Sequence, residues 1–208
     1  MEDAAMKINP ADLNRHDSHE LFMSIVVPRP IAFISTIGED GVYNVAPFSC
    51  FTPASIKPAH VCFGIGSRRD GRKKDTLKNI EFSGDFVVNV VTESLAEAMH
   101  QASADYPSEV DEFEETGLTP VKGDQVRSPM IAESPVHMEC KLSRIVEFGP
   151  VPALSHLVIG HVVLVHVQDE LWAGDQADIR KLKPVGRLGG QLYMRITSIF
   201  EMERPHLN

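Results

Sequence analysis

The chain has 208 residues, about one domain at ~150 residues each, with 43% apolar and 24% charged residues and 14 each of Gly and Pro. That balance excludes a disordered, collagen-like or low-complexity chain, and this length buries a core without staples. A formal net charge of −9 disfavours general binding to nucleic acid or anionic membrane, and no apolar run reaches the ~18 residues of a membrane span.

In chain order, residues 1–20 are polar and acidic and read as an N-terminal arm or short helix, without the features of a signal peptide. Ile31-Ala-Phe-Ile-Ser-Thr36, the turn Gly38-Glu-Asp-Gly41 and Val42-Tyr-Asn-Val45 predict a β-hairpin. Val61–Ile65 predicts a third strand. Lys74–Ile80 predicts a helix, with Leu77 and Ile80 on one face. Asp85–Val91 predicts a fourth strand, and Leu95–Ala102 a second helix with Thr92 as its N-cap. Asp105–Glu115 carries six acidic residues and no basic one, and reads as a loop or a solvated face. Long β stretches follow at Val136–Phe148, Leu154–Gln168 and Leu192–Met202, the first alternating at Val136, Met138, Cys140 and Leu142. A mainly β fold with short helices, an antiparallel barrel with appended helices, is the expected architecture.

Several chemistries find no support. Gly64-Ile-Gly66-Ser-Arg-Arg69 lacks the third glycine of a dinucleotide-binding loop, and there is no Walker A sequence or G-x-S-x-G elbow. Cys50, Cys62 and Cys140 lack C-x-x-C spacing and read as reduced thiols of a cytoplasmic protein, with Cys50 and Cys62 expected to be buried and inert. His156, His161 and His166 are spaced by five, which brings them together on neither a strand nor a helix, so no metal is expected.

Three segments stand out. Ser67–Lys74 holds five cations and one anion just before a helix start, where phosphate binds readily; Thr76 adds a hydroxyl. The same charges would equally suit a solvated loop. Asn44-Val-Ala-Pro-Phe-Ser49 places Pro47 on an edge or bulge, because proline cannot donate to a sheet ladder, and Ala46 leaves room for a flat ligand. An ordinary edge strand has the same pattern. Gly186-Arg-Leu-Gly-Gly190, followed by Tyr193, reads as a bend before a strand.

Taken in order, Val27-Pro-Arg-Pro-Ile-Ala-Phe-Ile-Ser-Thr36, Gly41-Val-Tyr-Asn-Val-Ala-Pro-Phe-Ser-Cys-Phe51, Lys74-Asp-Thr-Leu-Lys-Asn-Ile80, Asp85-Phe-Val-Val-Asn89, His156-Leu-Val-Ile-Gly-His-Val162 and Arg187-Leu-Gly-Gly-Gln-Leu-Tyr193 closely resemble the flavin reductase-like family of FMN-binding split-barrel proteins, on its flavoredoxin-like branch. The resemblance implies a six-stranded antiparallel split barrel over residues 21–205 and a homodimer with FMN at the subunit interface. It implies that Ser35, Thr36 and Ile37 line the flavin and its ribityl tail, and that Asn44, Val45, Ala46, Pro47, Phe48 and Ser49 meet the isoalloxazine. Ser67, Arg68, Lys74 and Thr76 would hold the phosphate, with His156 near the nicotinamide region. Arg187 and Tyr193 would complete the pocket, from the same or the partner subunit. The implied activity is hydride transfer from NADH or NADPH to flavin N5. The alternatives are a flavoredoxin-type electron carrier with a redox partner protein, a flavin storage module, or haem as the ligand. Free flavin reductases usually carry a Gly-x-Thr-x-x-Ser run where this chain has Asn44–Ser49, which implies an FMN that stays bound.

Overall fold

A computed structural model describes residues 5–68, 70–150 and 154–205. Helix α1 (Arg15–Ile25) runs across residue 20, where the arm was expected to end. Asn14 caps it, its side-chain oxygen accepting from the Asp17 N–H at 2.9 Å. The short β1 (Arg29–Pro30) follows, then the expected hairpin of β2 (Ala32–Ile37) and β3 (Tyr43–Phe48). Next come β4 (Phe51–Ile56), β5 (Ala59–Gly66), α2 (Asp75–Ser83) and β6 (Asp85–Val90). Two short helices, α3 (Ala96–Gln101) and α4 (Glu112–Thr116), lead to β7 (Pro120–Val121) and β8 (Met130–Ile131). The long strands β9 (Val136–Phe148) and β10 (Ser155–Val167), then α5 (Ile179–Leu182), β11 (Val185–Arg187) and β12 (Tyr193–Arg195), complete the chain.

The main sheet is antiparallel in the order β3-β2-β6-β9-β10-β5-β4. It has seven strands where six were expected. The additional one, β4, holds Pro53, which an edge strand tolerates. The two outermost strands, β3 and β4, are consecutive in the chain and joined by Ser49 and Cys50. The Gly64 N–H of β5 reaches back to the Cys50 carbonyl at 2.8 Å. The sheet therefore rolls toward closure at that corner, as in a split barrel.

Both faces of β2 are covered, so its alternation feeds two cores. Ala32 and Ile34 join Phe48, Phe63, Phe86 and Val158 inside the roll, where α2 adds Leu77 and Ile80. Each of those two helix side chains is essentially fully buried, stabilising by about 1.5–3 kcal/mol apiece. Ile31 and Phe33 face outward against Leu95, Met99 and Phe113, under α3 and α4.

Some local expectations fail. The acidic stretch 105–115 is not merely solvated: Phe113 packs into the outer core, and Glu112 is buried despite its charge. The strand expected over Leu192–Met202 is regular only at Tyr193–Arg195, because no strand among the described residues pairs with the segment beyond, and Phe200 and Met202 are exposed. Cys50 is exposed at the β3–β4 corner and Cys62 is half-buried; Cys140 alone is enclosed. Thr92 precedes a short 3-10 turn leading into α3, but its hydroxyl pairs with Ser94 at 2.9 Å and makes no cap bond.

Candidate functional site

The most distinctive polar cluster starts at the free edge of β3. The bond from the Gly38 N–H to the Val42 carbonyl sets the alternation along the hairpin, so the N–H groups of Asn44, Ala46 and Phe48 pair inward with β2. The outward positions are Val45 and Pro47. Pro47 has no N–H to offer. The Val45 N–H donates to Glu112 Oε2 at 3.3 Å, and the Asn44 amide donates to Glu112 Oε1 at 2.7 Å.

Behind this pair lies a network of buried groups. Asn44 Oδ1 accepts from the Thr76 hydroxyl at 2.7 Å and from the Thr36 hydroxyl at 3.3 Å, and Asn79 donates to Thr36 at 3.1 Å. The network ties β2, β3, α2 and α4 together. Burial pushes the Glu112 carboxyl up to about 7 against the bonds it accepts, and the nearby Asp75 charge adds to the rise. Asp75 goes the other way: burial opposes its charge, but bonds from Ser108, Lys78 and Arg68 hold it below the usual carboxylate range.

A cleft of about 630 Å³ opens beside the network. Asn44, Ala46 and Pro47 of β3 form one wall, with Arg68, Lys74 and Thr76 at the start of α2 opposite. Beside it, sharing Pro47 and Arg187, is a smaller space of about 290 Å³ also bounded by Ser49 and Tyr193. Such volumes suit a small-molecule ligand. The Arg187 guanidinium lies 4.3 Å from the Tyr193 ring centroid, closing that end within the same chain. Arg29, only 6% exposed, builds this corner: its guanidinium donates to the carbonyls of Met23 at 2.6 Å, Val26 at 2.7 Å and Leu188 at 2.9 Å, and to Ser49 at 3.4 Å.

The expected site residues thus divide. Asn44, Ala46, Pro47, Ser49, Arg68, Lys74, Thr76, Arg187 and Tyr193 border one or other of these two adjoining cavities, which share Pro47 and Arg187. Thr36 stands one step behind it, through Asn44. Ser35 faces the opposite side of β2, where its hydroxyl donates to the Pro129 carbonyl and accepts from Asn89 at 3.0 Å. Val45 and Phe48 turn their side chains into the two cores. Ile37, at the end of β2, and Ser67, whose hydroxyl donates to the Leu154 carbonyl at 2.7 Å, are not on the cleft wall. His156 is 2% exposed within β10, away from that wall, and neither ring nitrogen has a hydrogen-bond partner among the described residues.

The basic segment is partly neutralised at home. Arg68 pairs with Asp75, Arg72 with Asp70, and Lys73 with Glu81. Lys74 has no such partner among the described residues, and Arg69 lies outside them. The N–H groups of Asp75 and Thr76, in the first turn of α2, have no partner inside the helix.

Sequence reasoning missed Glu112, because an acidic run hides which of its members turns inward; the only signal was Phe113 beside it. A separate cluster also escaped the spacing argument. Asp124, Glu139 and His166 bring ligand atoms within 4.8 Å of one another. Glu139 there already accepts the N–H groups of Asp124, Gln125 and Val126 and bonds His166 at 2.6 Å.

The geometry has counterparts among known proteins. An uncharacterized protein of Halalkalibacterium halodurans is 38% identical over 206 residues, covering 98% of each chain. The crystal structure of nitrilotriacetate monooxygenase component B from Bacillus cereus superposes with a TM-score of 0.92 at 32% identity, covering 96% of this chain and 100% of that one. The 2-nitrobenzoate 2-nitroreductase NbaA of Pseudomonas fluorescens gives 0.87 at 30%, covering 96% of each. Residues 23–178, which carry the β3 edge, the α2 start and Glu112, match the model of the flavin reductase like domain, and the chain belongs to that family.

Proposed function

We propose that the protein is an FMN-dependent oxidoreductase that takes hydride from NADH or NADPH, works as a homodimer in the cytoplasm and keeps its flavin bound. The observation that carries this reading is the meeting, in one cleft, of the β3 edge with the cationic start of α2. That cleft fits FMN: it offers a flat wall with little side-chain bulk at Ala46 and Pro47, and unpaired N–H groups beside Lys74 and Arg68 for a phosphate.

FMN, when bound, supplies the hydride acceptor and the store for two electrons. The residues of the chain do the rest. Lys74, Arg68 and the first turn of α2 hold the phosphate. Asn44, fixed by Thr76 and Thr36, orients the β3 edge against the ring. Arg187 and Tyr193 bound the space left for a nicotinamide, and Met99, buried beneath it, keeps that floor apolar. His156 enters this reading only as a buried side chain of β10 beside Glu147.

The test is purification followed by absorption spectroscopy and assays of NADH and NADPH oxidation, with and without added free flavin. Flavin bands with nicotinamide oxidation are the expected result. Flavin bands with oxidation only when a protein acceptor is added would make it an electron carrier with a redox partner. Flavin bands without any turnover would make it a storage module, and haem bands would overturn the cofactor assignment.

A further inference from the structure

Glu112 borders two cavities at once. One is the cleft itself; the other, of about 500 Å³, lies on the far side of Asn44 and is bounded by Tyr43, Asp75, Lys78, Asn79 and Ser108. A carboxyl placed so can exchange a proton with solvent through the second cavity while facing the first. It is 7% exposed and accepts from the Asn44 side-chain amide and from backbone N–H groups, with no cation bonded to it among the described residues. Of the cations nearby, Arg68 and Lys78 are engaged on Asp75, and Lys74 lines the same cleft without bonding the Glu112 carboxyl.

Resting on the reading of the cleft as a flavin site, we propose that Glu112 is a charge-compensating positioning residue: it takes up one proton from solvent when the cleft gains a negative charge, and releases it when that charge leaves. The balance is simple. Hydride transfer oxidises the nicotinamide and brings two electrons and one proton into the cleft, a net change of −1. One proton moving from solvent onto the Glu112 carboxylate returns the net change to zero. The driving force is the repulsion of two anions in a space that excludes most water.

The surroundings set the pH at which this occurs. Asp75 from α2, Asp105 and Tyr106 from the acidic segment, and Glu39, Asp40 and Tyr43 from the β2–β3 hairpin share the two cavities with Glu112. Against them stand Arg68, Lys74, Lys78, His19 and Arg187. With the Glu112 carboxyl held at about 7 before the charge arrives, uptake grows as pH rises through 7 and ends only above the higher midpoint that the added charge imposes. Below about pH 6 the proton is already present and there is nothing to take up.

The experiment is measurement of the two-electron midpoint potential of FMN-loaded wild type and Glu112→Gln between pH 5 and 9, after titration of FMN onto each. The two potentials should run together at low pH. Above pH 7 the wild-type potential should fall more steeply by one proton per two electrons, about 30 mV per pH unit, leaving the variant more positive. Parallel curves across the range would overturn the proposal and leave the flavin reading intact; failure of wild type to bind FMN would overturn both. Should the variant not fold, the Glu112 carboxyl is followed by carbon NMR in oxidised and reduced wild type. Its titration must move to higher pH on reduction, and an unmoved midpoint overturns the proposal equally.

Discussion

Lys74 and Arg68 come from the same basic segment yet stand differently in the cleft. Arg68 is spoken for: Asp75 and the Tyr106 carbonyl, 3.2 Å away, already hold its guanidinium. Lys74 precedes α2 without a partner among the described residues. If the two hold a phosphate, charge-assisted bonds contribute about 1.5–3 kcal/mol each. Lys74→Ala should then weaken FMN by about 10- to 150-fold, since 1.4 kcal/mol is about tenfold, and leave riboflavin nearly unaffected. Arg68→Ala should also disturb Asp75 and α2, so it should cost thermal stability where Lys74→Ala does not. Titration of both flavins and a melting curve for each variant check this; equal losses for FMN and riboflavin in Lys74→Ala would remove the phosphate role. The charge of this segment was legible in the sequence. Its internal pairing was not, because Asp75, Glu81 and Tyr106 are drawn in only when the chain folds.

The strands show where local pattern suffices. β9 occupies the predicted residues and β10 differs by one at each end, because long alternating or β-branched runs have no competing structure. β4 was illegible because its proline and polar residues resemble a loop, and only the docked β5 hairpin makes it a strand. The three histidines of β10 stay apart, His156 by Glu147, His161 stacked on His60 and His166 bonded to Glu139, although register shifts at Ile159/Gly160 and Val162/Leu164 interrupt the simple alternation. The first shift falls at a position with no room for a side chain. A Cβ on Gly160 would sit 2.3 Å from Phe86 Cζ and 3.1 Å from Cys140 Cβ. Phe86 is fully buried between Phe63 and the roll's interior and has nowhere to turn. Gly160→Ala should therefore destabilise the protein by about 1–3 kcal/mol through overpacking, read as a lower urea midpoint at unchanged slope. A midpoint within error of wild type would mean that the bulge can relax at no cost.

At the scale of the whole molecule, the single chain leaves apolar surface uncovered. No residue of α1 is buried, although it carries Leu21, Phe22, Met23 and Ile25, and Phe200 and Met202 of the C-terminal segment are about 80% exposed. A second copy packed on these surfaces is the simplest cover, and closed two-fold pairing is the commonest arrangement. Light scattering at micromolar concentration should give twice the 23.0 kDa chain mass, and a monomer mass would sink the dimer. The roll of the sheet bears on a different matter, the behaviour of the protein when concentrated or newly made. A sheet of this size ordinarily exposes two rows of backbone groups on which foreign strands can grow. Here the two rows meet at Ser49 and Cys50; Pro47 interrupts one and Pro53 the other, while the Glu112 carboxylate occupies the Val45 N–H on the β3 row. The carboxyl that faces the cleft thus also guards the sheet against fibrous growth, and its loss would expose that strand to aggregation as well as altering the chemistry beside it.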